Sequence, residues 1–204
     1  MTVYEPFLDD QAHIDELSGQ RFVVLRASAE LRASYRESQN FFREHLRGLP
    51  VSYPAWPHVT LCGFAAGTPL VEAQRLVGTW AVTIPPLRIE VGDLSWFPPP
   101  FQIVIVEIQK TPALFAALAE LRALAEKEGL CVSTVVPVEQ WRLHMSIAYC
   151  SRLPETEWRG VVAFVQTSKV ARVFAEVNAA ELVAFDKGQE YSGGTYALGR
   201  GDQP

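Results

Sequence analysis

One device occurs twice in this chain of 204 residues. Residues 58–62 read His-Val-Thr-Leu-Cys, residues 144–148 read His-Met-Ser-Ile-Ala, and the two histidines lie 86 positions apart. Glu90-Val91 and Glu176-Val177 also lie 86 apart, each in a segment of strand-like pattern (RIEVGDL and FAEVNAAEL). Two separate landmarks repeating at one spacing point to an internal duplication, which restricts the fold to two similar halves.

The segments around these landmarks repeat in order. Residues 21–28 (RFVVLRAS) read as a strand, and Ser28 is placed to cap a helix over 29–46. A proline-broken loop runs from Gly48 to Pro57, and residues 58–64 read as a strand. Thr68-Pro69 has the form of a cap followed by a first helical residue, opening a helix to about Ala81. Residues 87–97 are strand-like, and the triple proline at 98–100 forces a turn. The second half gives a strand over 101–109, then a helix from Thr111-Pro112 with Gly129 as its C-cap. A strand over 144–150 and a helix over 154–166 follow. Residues 172–186 and 194–200 read as strands with a glycine-bearing turn between them. The expected fold is α+β and bilobal, a duplicated strand–helix–strand architecture with antiparallel sheets around a central cleft. Residues 1–20 form an N-terminal extension. Residues 21–204 form one two-lobed domain, with lobes of about 21–97 and 101–200 and strands free to exchange between them.

Composition narrows the function. A net charge of −5 argues against gripping extended duplex nucleic acid, because phosphate neutralisation by basic residues supplies most of that affinity. A nucleotide or a short RNA end remains compatible. Arginine supplies 14 of the 18 basic residues, which we read as compositional bias. No apolar run of membrane-spanning length is present, and the start of the chain lacks the basic and apolar segments of a signal peptide. The expectation is a cytoplasmic monomer. Cys62, Cys131 and Cys150 form no CxxC pair and read as free thiols. No cluster has metal-ligand spacing, so neither a metal nor another cofactor is expected.

The two motif strands carry the chemistry. Read with a period of two, Val59 and Leu61 face one way, and His58, Thr60 and Cys62 face the other. In the second strand Met145, Ile147 and Tyr149 face one way, and His144, Ser146 and Ala148 the other. Each strand therefore buries an apolar face and presents His-x-Thr or His-x-Ser opposite. Across a phosphodiester, one imidazole can take a proton from the attacking oxygen and the other can give one to the leaving oxygen. Thr60 and Ser146 can donate hydrogen bonds to the phosphoryl oxygens.

The segments Pro57-His58-Val59-Thr60-Leu61 and Leu143-His144-Met145-Ser146-Ile147 resemble the paired His-x-Thr/Ser motifs of the 2H phosphoesterase superfamily, which includes the 2′-5′ RNA ligase-like proteins and RNA 2′,3′-cyclic phosphodiesterases. The resemblance spans about residues 21–200. It implies a bilobal fold with both motifs lining a cleft, and metal-independent hydrolysis of a 2′,3′-cyclic phosphate or related phosphodiester of RNA ends or small nucleotides. It assigns catalytic roles to His58, Thr60, His144 and Ser146. It also implies that His58 protonates the leaving oxygen while His144 activates water, whereas the residues themselves are symmetric. The chain departs from the bacterial branch in two respects. Cys62-Gly63-Phe64 stands where that branch has Phe-Leu-Gly, and some twenty residues precede the first strand.

Three further residues are candidates for substrate binding. Arg142 can clamp phosphate or form a surface ion pair. Tyr53 and Trp56 can stack a base or pack the loop. His13 and His45 lack a hydroxyl two positions on and read as non-catalytic. Ser192-Gly193-Gly194-Thr195 reads as a hairpin turn, and residues 199–202 as a frayed tail. Two other functions fit the same residues: a module that binds nucleotides or RNA ends without cleaving them, and an enzyme that processes a 2′-5′ linkage or an RNA 3′ end.

Overall fold

A computed structural model describes residues 2–4, 11–130, 132 and 136–199. Cys131 and the tail from residue 200 lie outside them. In chain order the elements are α1 (Gln11–Leu17), β1 (Arg21–Arg26), α2 (Ala29–His45), β2 (His58–Phe64), α3 (Leu70–Ala81), β3 (Leu87–Phe97) and β4 (Ile103–Ile108). They continue with α4 (Pro112–Lys127), a 3-10 turn (Val138–Gln140), β5 (His144–Tyr149), α5 (Glu155–Thr167), β6 (Phe174–Val177), β7 (Ala179–Asp186) and β8 (Gln189–Ala197).

Local chemistry sets most boundaries. The side chains of Ser28 and Thr111 accept hydrogen bonds from the Leu31 and Leu114 amides and start α2 and α4. Gly129 ends the second of these helices at φ 70°, a backbone region that side chains disfavour. Thr68 does not cap α3: the helix starts one residue later, after Pro69, with no side-chain cap.

The strands form two four-stranded antiparallel sheets ordered β2-β1-β7-β8 and β5-β4-β3-β6. Each sheet thus mixes residues from both halves of the chain: β3 joins the sheet of β4 and β5, and β7 joins that of β1 and β2. The segment expected as one strand over 172–186 breaks at Asn178, where the chain passes from β6 in one sheet to β7 in the other. The Glu90 and Glu176 landmarks are therefore not equivalent positions of a duplication. They lie in β3 and β6, which pair side by side with Arg88 opposite Glu176. Gly193-Gly194 does not form a hairpin turn either. The turn is Lys187-Gly188, and Gly193 is an unpaired bulge residue within β8.

The duplication survives in finer detail. Between β1 and β2, Val23 faces Cys62 and Val24 faces Thr60, which leaves Leu61 as an extra residue. Between β4 and β5, Val104 faces Ala148 and Ile105 faces Ser146, which leaves Ile147 extra. Both bulges follow the hydroxyl residue of a motif. A bulge shifts the alternation by one residue. Leu61 and Cys62 therefore both enter the core, as do Ile147 and Ala148. Tyr149 moves out of the apolar face on which strict alternation placed it.

Core residues from both sheets and from α2, α3, α4 and α5 join one apolar cluster. On α2 the buried positions Leu31, Tyr35, Gln39 and Phe42 follow helical spacing along one face. A second, smaller cluster lies on the other side of the β1–β7 pair. There Val24, Val183 and Phe185 pack with Phe22 and with Leu17 of α1. Helix α1 is thus folded onto a sheet.

Candidate active site

β2 and β5 run alongside each other. The Ser52–Tyr149 bridge and a hydrogen bond from Trp141 Nε1 to the Thr60 carbonyl (3.1 Å) tie the two motif regions together. The imidazoles are held alike. Nδ1 of His58 lies 3.2 Å from the Trp56 carbonyl, and Nδ1 of His144 lies 2.7 Å from the Arg142 carbonyl, each two residues upstream. When Nδ1–H donates to a carbonyl, Nε2 is left as the acceptor available to a substrate.

The surroundings of the two rings differ. The strand partner of His58 is Arg26, whose Nη1 stands 3.3 Å from His58 Nδ1. Arg26 is held by two buried carboxylates, Glu181 at 2.6 Å and Glu190, and Tyr4 donates to Glu181 at 2.5 Å. The Arg26 guanidinium and neighbouring hydrogen bonds hold the Glu181 carboxyl below its ordinary range against the effect of burial, whereas burial raises that of Glu190. The strand partner of His144 is an acid, Glu107, and Phe97 meets the imidazole edge-on at 4.8 Å. Burial pushes both imidazoles down to about 4. Arg26 adds to this at His58, and His58 itself adds to it at His144.

Of the other expected site residues, Thr60 lines a recess with His58 and Tyr149. Ser146 accepts a hydrogen bond from the Tyr149 hydroxyl at 3.3 Å. The guanidinium of Arg142 bonds Glu107 (2.5 Å), Ser95 Oγ (2.8 Å) and the Trp96 carbonyl (3.2 Å), the ion-pair arrangement of the two considered. Tyr53 packs against the core with Arg43 over its ring at 4.0 Å, so it braces the loop. Trp56 is 43% exposed and meets the Tyr4 ring edge-on. It lines an open hollow with Arg26 and Arg32. His45 stacks on Phe164 at the end of α2, whereas His13 stacks on Phe101. Burial raises the Cys62 and Cys150 thiols to about 12, which keeps them unreactive. Among the described residues no group of three His, Cys, Asp or Glu could hold a metal ion, and no helix is long and apolar enough to cross a membrane.

Sequence reasoning missed Tyr149, Arg26, Glu181 and Glu190. It also missed a brace inside the protein. The hydroxyl of Tyr35 donates to the Ser146 carbonyl (2.6 Å), and the Gln39 amide donates to the carbonyls of Ile147 (3.1 Å) and Pro54 (2.9 Å). Both side chains are buried, and two of these carbonyls belong to the bulge of β5. A charged residue at or next to the end of each partner strand, Arg26 and Glu107, is the signal that could have found the strand partners of the histidines. The brace left no pattern to read, because a buried glutamine on a helix resembles any surface glutamine.

Residues 26–189 match the family model described as the 2′-5′ RNA ligase superfamily. The chain belongs to that superfamily. The matched residues contain both motifs and six of the eight strands in full, whereas α1 lies before them. No curated protein matches the sequence. Among solved structures, TT0787 of Thermus thermophilus superposes with a TM-score of 0.66 at 19% identity, over 90% of this chain and 100% of that one. A crystal structure titled phosphoesterase gives 0.64 at 16%, over 89% and 98%. E. coli LigT complexed with ATP gives 0.60 at 14%, over 88% and 98%. At these identities the likeness speaks for the superfamily fold, and roles within the site rest on the geometry above.

Proposed function

We propose that this superfamily member is a metal-independent phosphodiesterase that opens a 2′,3′-cyclic phosphate, or a related phosphodiester, of small nucleotides or RNA ends. The observation that carries this reading is the matched pair of imidazoles. Each follows the same hairpin geometry, each is tethered through Nδ1 to the carbonyl two residues before it, and His144 feels the charge of His58. A site that only binds nucleotides has no need of two mutually oriented proton-transfer groups. E. coli LigT, of the same fold, has been crystallised with ATP, NADP+, 3′-AMP and phosphate, which favours a nucleotide phosphate as the group recognised here.

In this scheme His144 Nε2 takes a proton from water, whose oxygen attacks phosphorus. The bond from phosphorus to one ribose oxygen breaks as His58, protonated, gives that oxygen a proton. The product is a phosphomonoester with a free neighbouring hydroxyl. The short Nδ1 contact of His144 favours it as the base, since it holds Nε2 as an acceptor. Thr60 and Ser146 donate to the phosphoryl oxygens, where negative charge grows. The Arg26 guanidinium, itself held by Glu181 and Glu190, braces the His58 ring, and the Arg142 carbonyl holds that of His144.

The test is turnover of 2′,3′-cyclic AMP and of a short oligonucleotide ending in a cyclic phosphate, with products identified by mass spectrometry. A phosphomonoester one water heavier supports hydrolysis. Binding of both compounds without turnover at any pH between about 4 and 9 would overturn it, since that range spans both protonation states of a histidine pair.

A further inference from the structure

Helix α1 sits on the sheet face that carries His58. Helix α1 turns His13, Ile14 and Leu17 to one side at i, i+1 and i+4 spacing. Leu17 packs on Phe22, Val24, Val183 and Phe185, the apolar part of the sheet face that also carries His58. Ile14 lies against the β7–β8 turn so closely that a Cβ on Gly188 would stand 3.2 Å from its Cδ1. His13 reaches the other sheet, stacking on Phe101 at the β3–β4 turn and meeting the Tyr149 ring edge-on. The seat is locked by hydrogen bonds from the Gly19 amide to the Phe185 carbonyl (2.8 Å) and from the Lys187 amide to Ser18 Oγ (3.2 Å).

The effect on the site is a matter of space. The recess holding His58, Thr60 and Tyr149 has Leu17 as a wall and a volume of about 100 Å³. Sites that enclose a whole drug-sized ligand run to about 300–1,000 Å³. The recess beside His58 is smaller than that and has apolar walls from Leu17, Phe22, Val183 and Phe185, so on this side it takes a phosphate or the edge of a ribose more readily than a whole nucleoside.

We propose that α1 sets substrate choice by size. Through Leu17 and His13 it closes the His58 side of the cleft, so that a terminal cyclic phosphate enters and an internal phosphodiester, which must continue past phosphorus as a second nucleoside, does not. This rests on the phosphodiesterase reading above and narrows its substrate class. Helix α1 lies before the residues that match the superfamily model.

Two variants test it: Leu17→Asp, which unseats α1 from its apolar bed, and Leu17→Ala, which opens the recess while leaving the helix in place. Circular dichroism and thermal melts establish that each is folded. The first readout needs no substrate. Diethyl pyrocarbonate modification of His58, followed peptide by peptide, should speed up about fivefold or more in Leu17→Asp and less in Leu17→Ala, as expected when a covering side chain is removed. The second is the ratio of kcat/KM for a 2′-5′-linked dinucleotide to that for 2′,3′-cyclic AMP, which should rise about tenfold, the scale of a few methylene groups in a pocket. An unchanged His58 modification rate in both variants overturns the cover. Faster modification with an unchanged ratio overturns the selection. Faster modification with no turnover of either compound by any of the three proteins removes the phosphodiesterase reading and the selection with it, and leaves the cover standing.

Discussion

His58 and His144 carry the chemistry in this account, and single substitutions separate their roles. Each alanine variant should lose about 100-fold or more in kcat on a cyclic nucleotide, the usual scale for a general acid or base, with a smaller effect on binding of a product analogue. Near-normal kcat in either variant would end the pairing. Thr60→Val and Ser146→Ala should lower kcat without moving the pH limits, because a hydroxyl does not titrate in this range. The sequence predicts a bell around neutrality, and the site displaces it. Burial disfavours imidazolium and brings both rings down to about 4, so the singly protonated pair that catalysis needs is populated in the free protein only on the acid side. The kcat/KM profile should therefore peak below pH 6.5, while kcat peaks at higher pH because the bound phosphodiester's negative charge favours imidazolium. A kcat/KM optimum above neutrality would contradict this. The motif residues were legible because a histidine and a hydroxyl two apart on a strand share a face. Tyr149 was not, because one extra residue at Ile147 reverses every later side chain and leaves no mark in composition.

At the scale of elements, the bulge in β5 depends on α2. Gln39 and Tyr35 supply donors to the Ile147 and Ser146 carbonyls from inside the core, where water cannot replace them. Gln39→Leu should destabilise the protein by about 2 kcal/mol in urea titrations, and Tyr35→Phe by about 1 kcal/mol, the ordinary range for orphaned buried acceptors. Because the same bulge aims Ser146 and Tyr149, Gln39→Leu should also lower kcat more than it raises KM. Unchanged stability in both variants would show that the carbonyls find other donors. Element types were readable wherever caps and periodicity agreed, as at Ser28 and Thr111. They failed at glycines and at the strand after α5. Gly193-Gly194 carries the composition of a turn but is held inside β8 by pairing on β7, and Asn178 gives no local hint that the chain changes sheets there. Both outcomes are decided by partners remote in sequence.

For the whole molecule, the depressed imidazoles make folding depend on acidity. An unfolded chain takes up protons at both histidines as pH falls through 6.5, whereas the folded one resists until about 4. Stability should therefore decline between those values, and a His58→Asn, His144→Asn double variant should show a shallower decline in urea melts across that window. Equal slopes would place the two groups at ordinary pKa values. Activity should also survive exhaustive EDTA treatment, since the scheme routes every proton through imidazole; loss on chelation and recovery with a divalent ion would replace it with metal-assisted hydrolysis. The exchange of β3 and β7 between sheets has a mechanical consequence. The backbone crosses between the two sheets at both β3 and Asn178, so they are laced together like the two sides of a boot. Neither half can be cut free and fold, because each would lack an inner strand of its own sheet and carry one belonging to the other. The two histidines therefore come together only when the chain folds as one cooperative unit, with neither motif strand able to find its full sheet before the other half arrives.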